Sequence, residues 1–229
     1  MFFVDQNKKI CVFVTARLSS KRFPSKAIQK FQKKYLFLNV IDRIANIKKS
    51  ALIYLLISSN KSDDRLFALC KKKKIKVFRG NLKNLFLRFK QAIKRIKPDI
   101  VVRISGDSLF IDHRIIDKAL DIFVKKKNID IVTNILHRTY PQGQSVEVFR
   151  SRIFLPVNSK KLSSYEKEHV SPYFYKYKKY YIYNFRNKSN QSKFKMTVDT
   201  KSDLDFFKKK IKSKKIYNKN FLNILNLLK

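Results

Sequence analysis

Glycine, proline, tryptophan and cysteine are scarce in this chain of 229 residues, with three, five, none and two respectively. The two cysteines, Cys11 and Cys70, both sit inside apolar segments, which argues against a disulfide framework and a cysteine-based zinc site. Long apolar runs are missing too. The longest, residues 51–57, holds seven residues, far short of the roughly 20 that a membrane-spanning helix needs. The opening Met-Phe-Phe-Val-Asp is too short and too acidic for a secretory signal, so the expected compartment is the cytoplasm. Acidic residues are few as well: 16 Asp+Glu stand against 54 Lys+Arg, a net charge of +38.

Such a charge points first to nucleic acid. Composition offers a plainer account. Of the basic residues 41 are Lys and 13 are Arg, and they are scattered along the whole chain. Lys, Asn, Ile, Phe and Tyr, whose codons are rich in A and T, are abundant. Gly, Pro and Trp, whose codons are rich in G and C, are rare. Weak, salt-sensitive binding to anions follows on either account, and nucleic acid is not expected as a specific partner. A hydrophobic share of 44% is normal for a globular chain and leaves room for a sizeable core.

The chain alternates strand-like and helix-like segments. Residues 10–15, 52–57, 75–78, 99–104 and 129–133 read as short buried strands. Apolar residues at helical spacing mark helices over 36–47, after Ser62 as N-cap, over 85–96, and after Asp112. Strands that are apolar on both faces, in β-α-β order, predict an α/β fold with a mostly parallel central sheet flanked by helices. In such sheets ligands bind beyond the carboxyl ends of the strands. After Asn134 the rhythm changes. Residues 146–149, 180–185 and 195–198 read as extended, 163–177 as a helix broken near Pro172, and a helix is expected from Ser202. The amphipathic tail 221–228 is either a terminal helix or a contact surface.

The chemistry-bearing residues gather at strand ends. A chain of this length would ordinarily hold about 16 glycines. Gly80, Gly106 and Gly143 all fall at expected strand ends, either as turns with positive φ or as the borders of a site. Residues 16–26 (ARLSSKRFPSK) follow the first strand and offer Arg17, Lys21, Arg22 and Lys26 with Ser19, Ser20 and Ser25. A basic, serine-rich loop at that edge suits a polyphosphate. It is not a Walker loop, and no Gly-x-Gly-x-x-Gly fingerprint is present. Asp107 follows Gly106, and Asp199 follows the late extended segment. They are either a turn residue and a helix cap or two hard-oxygen ligands converging on Mg²⁺. His169 and His113 lack partners at metal-ligand spacing, and no nucleophile arrangement emerges from residue order.

ARLSSKRFPSK, VFRGN, VRISGDSLFID, TYPQGQSVEVF, EKEHVSPYFY and MTVDTKSDLDFF occur in one order over residues 10–207. This ordered set resembles the cytidylyltransferase family of spore coat polysaccharide biosynthesis protein F. That family is similar in turn to the CMP-sugar synthetases for 3-deoxy-manno-octulosonate and acylneuraminate. The resemblance implies a Rossmann-like nucleotidyltransferase fold, similar to glycosyltransferase A. It implies one domain over residues 1–210 followed by a helical tail, 211–229. It also implies CTP, a small sugar substrate, Mg²⁺ and, as in related synthetases, a possible homodimer.

By the same resemblance Ala16, Arg17, Ser20, Arg22, Lys26, Arg103 and Gly106 bind the nucleotide. Arg17, Lys26 and Asp107 serve catalysis, and Asp107 and Asp199 hold the metal. Gly143, Glu147, Glu168 and His169 lie near the acceptor. The chain departs from the family pattern at several positions: Ser19 and Ser25 stand where it has glycine, Leu109 where it has a loop-stiffening proline, and Ser145 where it has an acid. The expected reaction moves CMP from CTP to a sugar acid or related sugar, for surface polysaccharide synthesis. Two other readings are a glycosyltransferase that uses a nucleotide-sugar donor on the same fold, and a polyanion-binding protein without catalysis.

Overall fold

The computed structural model describes residues 8–212, 216 and 218–229. β1 (Ile10–Thr15) is central. It pairs in parallel with β4 (Leu52–Ser58) on one side and β6 (Ile100–Ser105) on the other. A short antiparallel hairpin, β2 (Lys30–Phe31) and β3 (Lys34–Tyr35), precedes α1 (Leu36–Ile44). α2 (Asp64–Lys72) leads to β5 (Val77–Gly80), and α3 (Leu85–Ile96) leads to β6. α4 (His113–Lys125) is followed by β7 (Ile131–Thr133) and β8 (Glu147–Arg150). Then come α5 (Ser164–His169), α6 (Pro172–Lys176), β9 (Ile182–Asn184), α7 (Lys201–Lys210) and α8 (Phe221–Leu228). The sheet order is β5-β4-β1-β6-β8-β7-β9, and β8 alone runs antiparallel to its neighbours.

The strands are apolar on both faces because both faces are covered. Ile10, Val12 and Val14 join the larger core with α1, α4, α7 and α8. Cys11 and Phe13 face a second core with Phe86 and Phe89 of α3 and Phe174 of α6. Asp112 caps α4 with its carboxylate on Arg114 N, as expected. The C-terminal helix packs into the larger core. The Phe221 ring meets that of Tyr140 at a tilt, and the Phe221 N–H donates to the second oxygen of Asp112.

Several local expectations are corrected. Ser62 is not a cap: Asn60 caps a short 3-10 turn that contains Ser62, and α2 follows it. The helix expected from Ser202 begins earlier, because Thr200 and Asp203 form a capping box around its first turn. Residues 195–198 do not join the sheet. Lys195 makes an isolated bridge with Gln142, and Met196 N and Val198 N donate to Gln142 and Asp107 carbonyls instead of to a neighbouring strand. The expected strand over 75–78 starts two residues later, at Val77. Of the three glycines only Gly143 has a positive φ.

Candidate active site

The loop between β1 and the turn Lys26–Ile28 wraps over the carboxyl ends of β1 and β4. Leu18, Phe23, Ala27 and Ile28 bury their side chains and hold it down. Ala16 N donates to Leu56 O, Leu18 N to Asp63 Oδ1 at 2.7 Å, and Ser25 N to Leu18 O at 2.8 Å. Ser25 closes the loop with φ 56°, a left-handed conformation that costs a non-glycine residue about 1–2 kcal/mol. Gly106 has another constraint: an added Cβ would stand 2.4 Å from Thr15 O, to which Gly106 N donates at 2.9 Å. The end of β6 can approach β1 this closely only without a side chain.

This closeness builds a cleft of about 290 Å³. Ala16, Arg17, Ser20, Arg22, Lys26, Arg103, Gly106, Asp107, Glu168 and His169 all line it, as do Leu82, Lys83, Leu85 and Arg88. Three of the loop's four cations meet a carboxylate. Arg17 pairs with Glu168 at 3.0 Å and Arg22 with Asp199 at 3.1 Å. Lys26 lies 3.3 Å from Asp107 and 3.8 Å from Asp199. Asp199 also meets Thr197 Oγ1 at 3.0 Å and Lys195 at 3.3 Å. The two aspartates come together although the segment before Asp199 is outside the sheet, because Val198 N donates to Asp107 O at 3.0 Å. Both therefore reach one ammonium group. Two hard-oxygen donors around a shared cation suit Mg²⁺, and two protein carboxylates alone leave positions open for water and phosphate. Among the described residues no group of three or more His, Cys, Asp or Glu gathers as a metal cluster.

The remaining sequence-derived positions divide. His169 lies on the cleft wall against the ring of Tyr165. Glu147 is buried behind it, paired with Arg103 and accepting from the Tyr175 hydroxyl. Gly143 serves backbone packing: with φ 95°, its added Cβ would meet the Met196 carbonyl at 2.8 Å.

Three residues escaped the sequence reading. Arg88 is buried and donates to the Leu56, Asn81 and Leu82 carbonyls, bracing the floor of the cleft. Burial pulls its pKa down to about 10, Asp63 opposes that shift, and Arg17 adds to it. Its signal was legible: an arginine on the apolar stripe of α3, between Leu85 and Ala92. Asp63 is fully buried and ties Leu18 N to Ser58 N and Oγ. In the sequence it resembles an ordinary first-turn acid. Tyr175 is half-buried, and desolvation of its phenol, with Glu147 beside it, raises that group well above the usual range.

Comparisons with known proteins bear on the family and the fold. A family model described as cytidylyltransferase matches residues 11–226. Spore coat polysaccharide biosynthesis protein SpsF of Bacillus subtilis is 24% identical over 208 residues, 87% of this chain and 85% of that protein. A cytidylyltransferase structure from Leptospira borgpetersenii serovar Hardjo-bovis is 27% identical with a TM-score of 0.90, covering 97% of this chain and 94% of that one. CMP:2-keto-3-deoxy-manno-octonic acid synthetase, in a complex with CTP, shares the fold at 14% identity and a TM-score of 0.65, covering 88% and 97%.

Proposed function

This chain belongs to the cytidylyltransferase family, and from that premise we propose that it transfers CMP from CTP to a sugar acid or related sugar, for surface polysaccharide synthesis. The chain is a nucleotidyltransferase. The observation that carries the finer reading is the convergence of Arg17, Arg22 and Lys26 with Asp107 and Asp199 at the ends of β1 and β6. A triphosphate brings the negative charge that Glu168 and the aspartates now present to those cations, and charge-assisted bonds to phosphate are strong. The relative named for spore coat polysaccharide and the CTP complex of a protein with the same fold support the choice of nucleotide and product.

In this mechanism Arg17, Arg22 and Lys26 orient the β- and γ-phosphates and neutralise them. A hydroxyl of the sugar attacks the α-phosphorus and yields its proton to solvent, the bond from that phosphorus to the bridging oxygen breaks, and pyrophosphate leaves with its charge on the three cations. Asp107 and Asp199 would hold Mg²⁺, which when bound supplies positive charge at the α-phosphate. The rate gain comes from positioning and from charges fixed in place before the reaction.

The test is pyrophosphate release from CTP with Mg²⁺ and a panel of 2-keto-3-deoxy sugar acids and neutral sugars, beside Asp107→Asn. Release should depend on one sugar and fall about 100-fold or more in the variant, the scale of losing one fixed charge at a transition state. Consumption of an intact nucleotide-sugar without pyrophosphate release would favour glycosyl transfer instead. Absence of CTP binding would end the reading.

A further inference from the structure

One charge pair of the cleft differs from those at its mouth. Arg103, Glu147 and Thr133 are register partners across β6, β8 and β7, so their side chains share one face of the sheet. α6 brings Tyr175 onto the same face, with its hydroxyl 3.1 Å from Thr133 Oγ1. Arg103 also lines the cleft. Glu147 is 1% exposed, and both its oxygens are engaged, one by Arg103 Nη1 and one by the Tyr175 hydroxyl. With the phenol proton on Glu147, the phenol oxygen accepts from Thr133.

Glu147 thus has no oxygen left to offer a substrate. The resemblance puts it near the acceptor, but what it touches is Arg103. Its pairing is also one that a substrate cannot exchange. At the mouth of the cleft Arg17 pairs with a Glu168 side chain that is 57% exposed, and a carboxylate there can turn to water when a phosphate arrives. Asp107 and Asp199, on Lys26 and Arg22, are the groups that the nucleotide reading gives to Mg²⁺. Glu147 has neither exit. It is closed off from water and held by a tyrosine, and separating a buried ion pair is far more unfavourable than exchanging an exposed one. The charge of Arg103 therefore stays compensated while substrate is bound.

A compensated guanidinium is still a donor. It offers five N–H groups in a fixed fork, and Glu147 occupies one nitrogen, Nη1. Among the described residues neither Nε, which is buried, nor Nη2 has a hydrogen-bond partner. The side chain keeps 17% of its surface exposed, on the cleft. Strong bonds to phosphate come from donors whose charge is available to it. A neutralised fork suits a hydroxyl or carbonyl oxygen, which needs a donor and no net charge.

We propose that Glu147 is a positioning residue that holds Arg103 and cancels its charge, so that Arg103 donates to an uncharged oxygen of the substrate and not to a phosphate. That a nucleoside or a sugar supplies this oxygen rests on the cytidylyltransferase reading. The triphosphate is left to Arg17, Arg22 and Lys26.

The experiment is calorimetric binding of pyrophosphate, of cytidine and of the sugars of the release assay to the full chain. Two variants are compared with the wild type. One is Glu147→Gln. The other combines Arg103→Gln with Glu147→Gln, which removes both charges together and leaves no buried charge unpaired. In Glu147→Gln the guanidinium regains its charge, so pyrophosphate should bind about threefold or more tightly, with a steeper loss on adding salt. A damaged fold does not produce a gain of affinity. In the double variant pyrophosphate should bind within about twofold of the wild type, whereas cytidine or one of the sugars should weaken about tenfold or more. Whichever weakens names the source of the oxygen.

A larger loss of pyrophosphate binding in the double variant would overturn the proposal. So would unweakened binding of cytidine and of every sugar there, or pyrophosphate bound no more tightly by a folded Glu147→Gln. If Glu147→Gln alone does not fold, the double variant decides. CTP binding by the wild type, measured beside these, judges the nucleotide reading separately. Its absence sinks that reading and this assignment with it. CTP bound by the wild type, with pyrophosphate lost in the double variant, sinks the assignment alone.

Discussion

Cys11 in β1 and Cys70 in α2 are fully buried, and burial raises each thiol from 9.0 to about 11. Lys9 acts in the opposite direction on Cys11 and is the weaker influence. Native thiols therefore keep their protons through the mildly alkaline range. Their burial stabilises the fold fully below pH 9.0, and that contribution falls as pH rises through about 11. At pH 8 the native thiolate fraction should be roughly a hundredfold lower than in the unfolded chain. Disulfide-exchange labelling should be slow in native buffer, rapid in denaturant, and faster in native buffer as pH approaches 11. Fast labelling of either cysteine at pH 8 without unfolding would contradict its burial. Scarcity of cysteine in the sequence already argued against crosslinks and metal, whereas only the packed core explains why the two that remain are inert.

At the scale of elements, the segment from β4 to α2 does more than cross the sheet. Its short 3-10 turn places Asp63 under the phosphate-type loop, where one oxygen accepts from Leu18 N and the other from Ser58 N and Oγ. Asp63→Asn keeps the shape but sets an amide N–H against one of these donors. Losing such a buried bond costs about 1–3 kcal/mol. The expected outcome is a KM for CTP raised about tenfold or more, with kcat changed less, because the variant shifts the loop and removes no group from the reacting atoms. Steady-state kinetics of pyrophosphate release would separate the two. An unchanged KM would mean that Leu18 and Phe23 alone hold the loop. In the sequence Asp63 and Asp64 are two adjacent acids at the opening of a helix. The distinction between them depends on which one the turn buries, and that is set by the approach of residues 16–26 from a distant part of the chain.

At the scale of the whole molecule, α8 closes the larger core. Phe221, Ile224, Leu225 and Leu228 are buried with residues of β1, α1 and α4. Arg43 of α1 reaches the Ile216 and Lys219 carbonyls ahead of the helix. Phe221→Ala should cost about 3–5 kcal/mol, the range for emptying a buried aromatic position. Leu222→Ala, at an exposed site, should stay within about 0.5 kcal/mol. Chemical denaturation of both variants should give a single transition, as expected when the helix and the sheet melt as one unit. A separate early transition, or a mild effect at Phe221, would show that the helix is an appendage.

The sequence by itself determined the α/β alternation, the central parallel strands and the ordered motifs that mark the family. These depend on local periodicity and on residue types that only certain backbones tolerate. It also placed every cleft-lining cation of the first loop, because that loop follows a strand whose end must face the ligand side. Tertiary structure decided the rest. Residues 195–198 read as a strand from their alternation, but their hydrogen-bonding partners are the loops at Gln142 and Asp107, so they carry Asp199 to the site from outside the sheet.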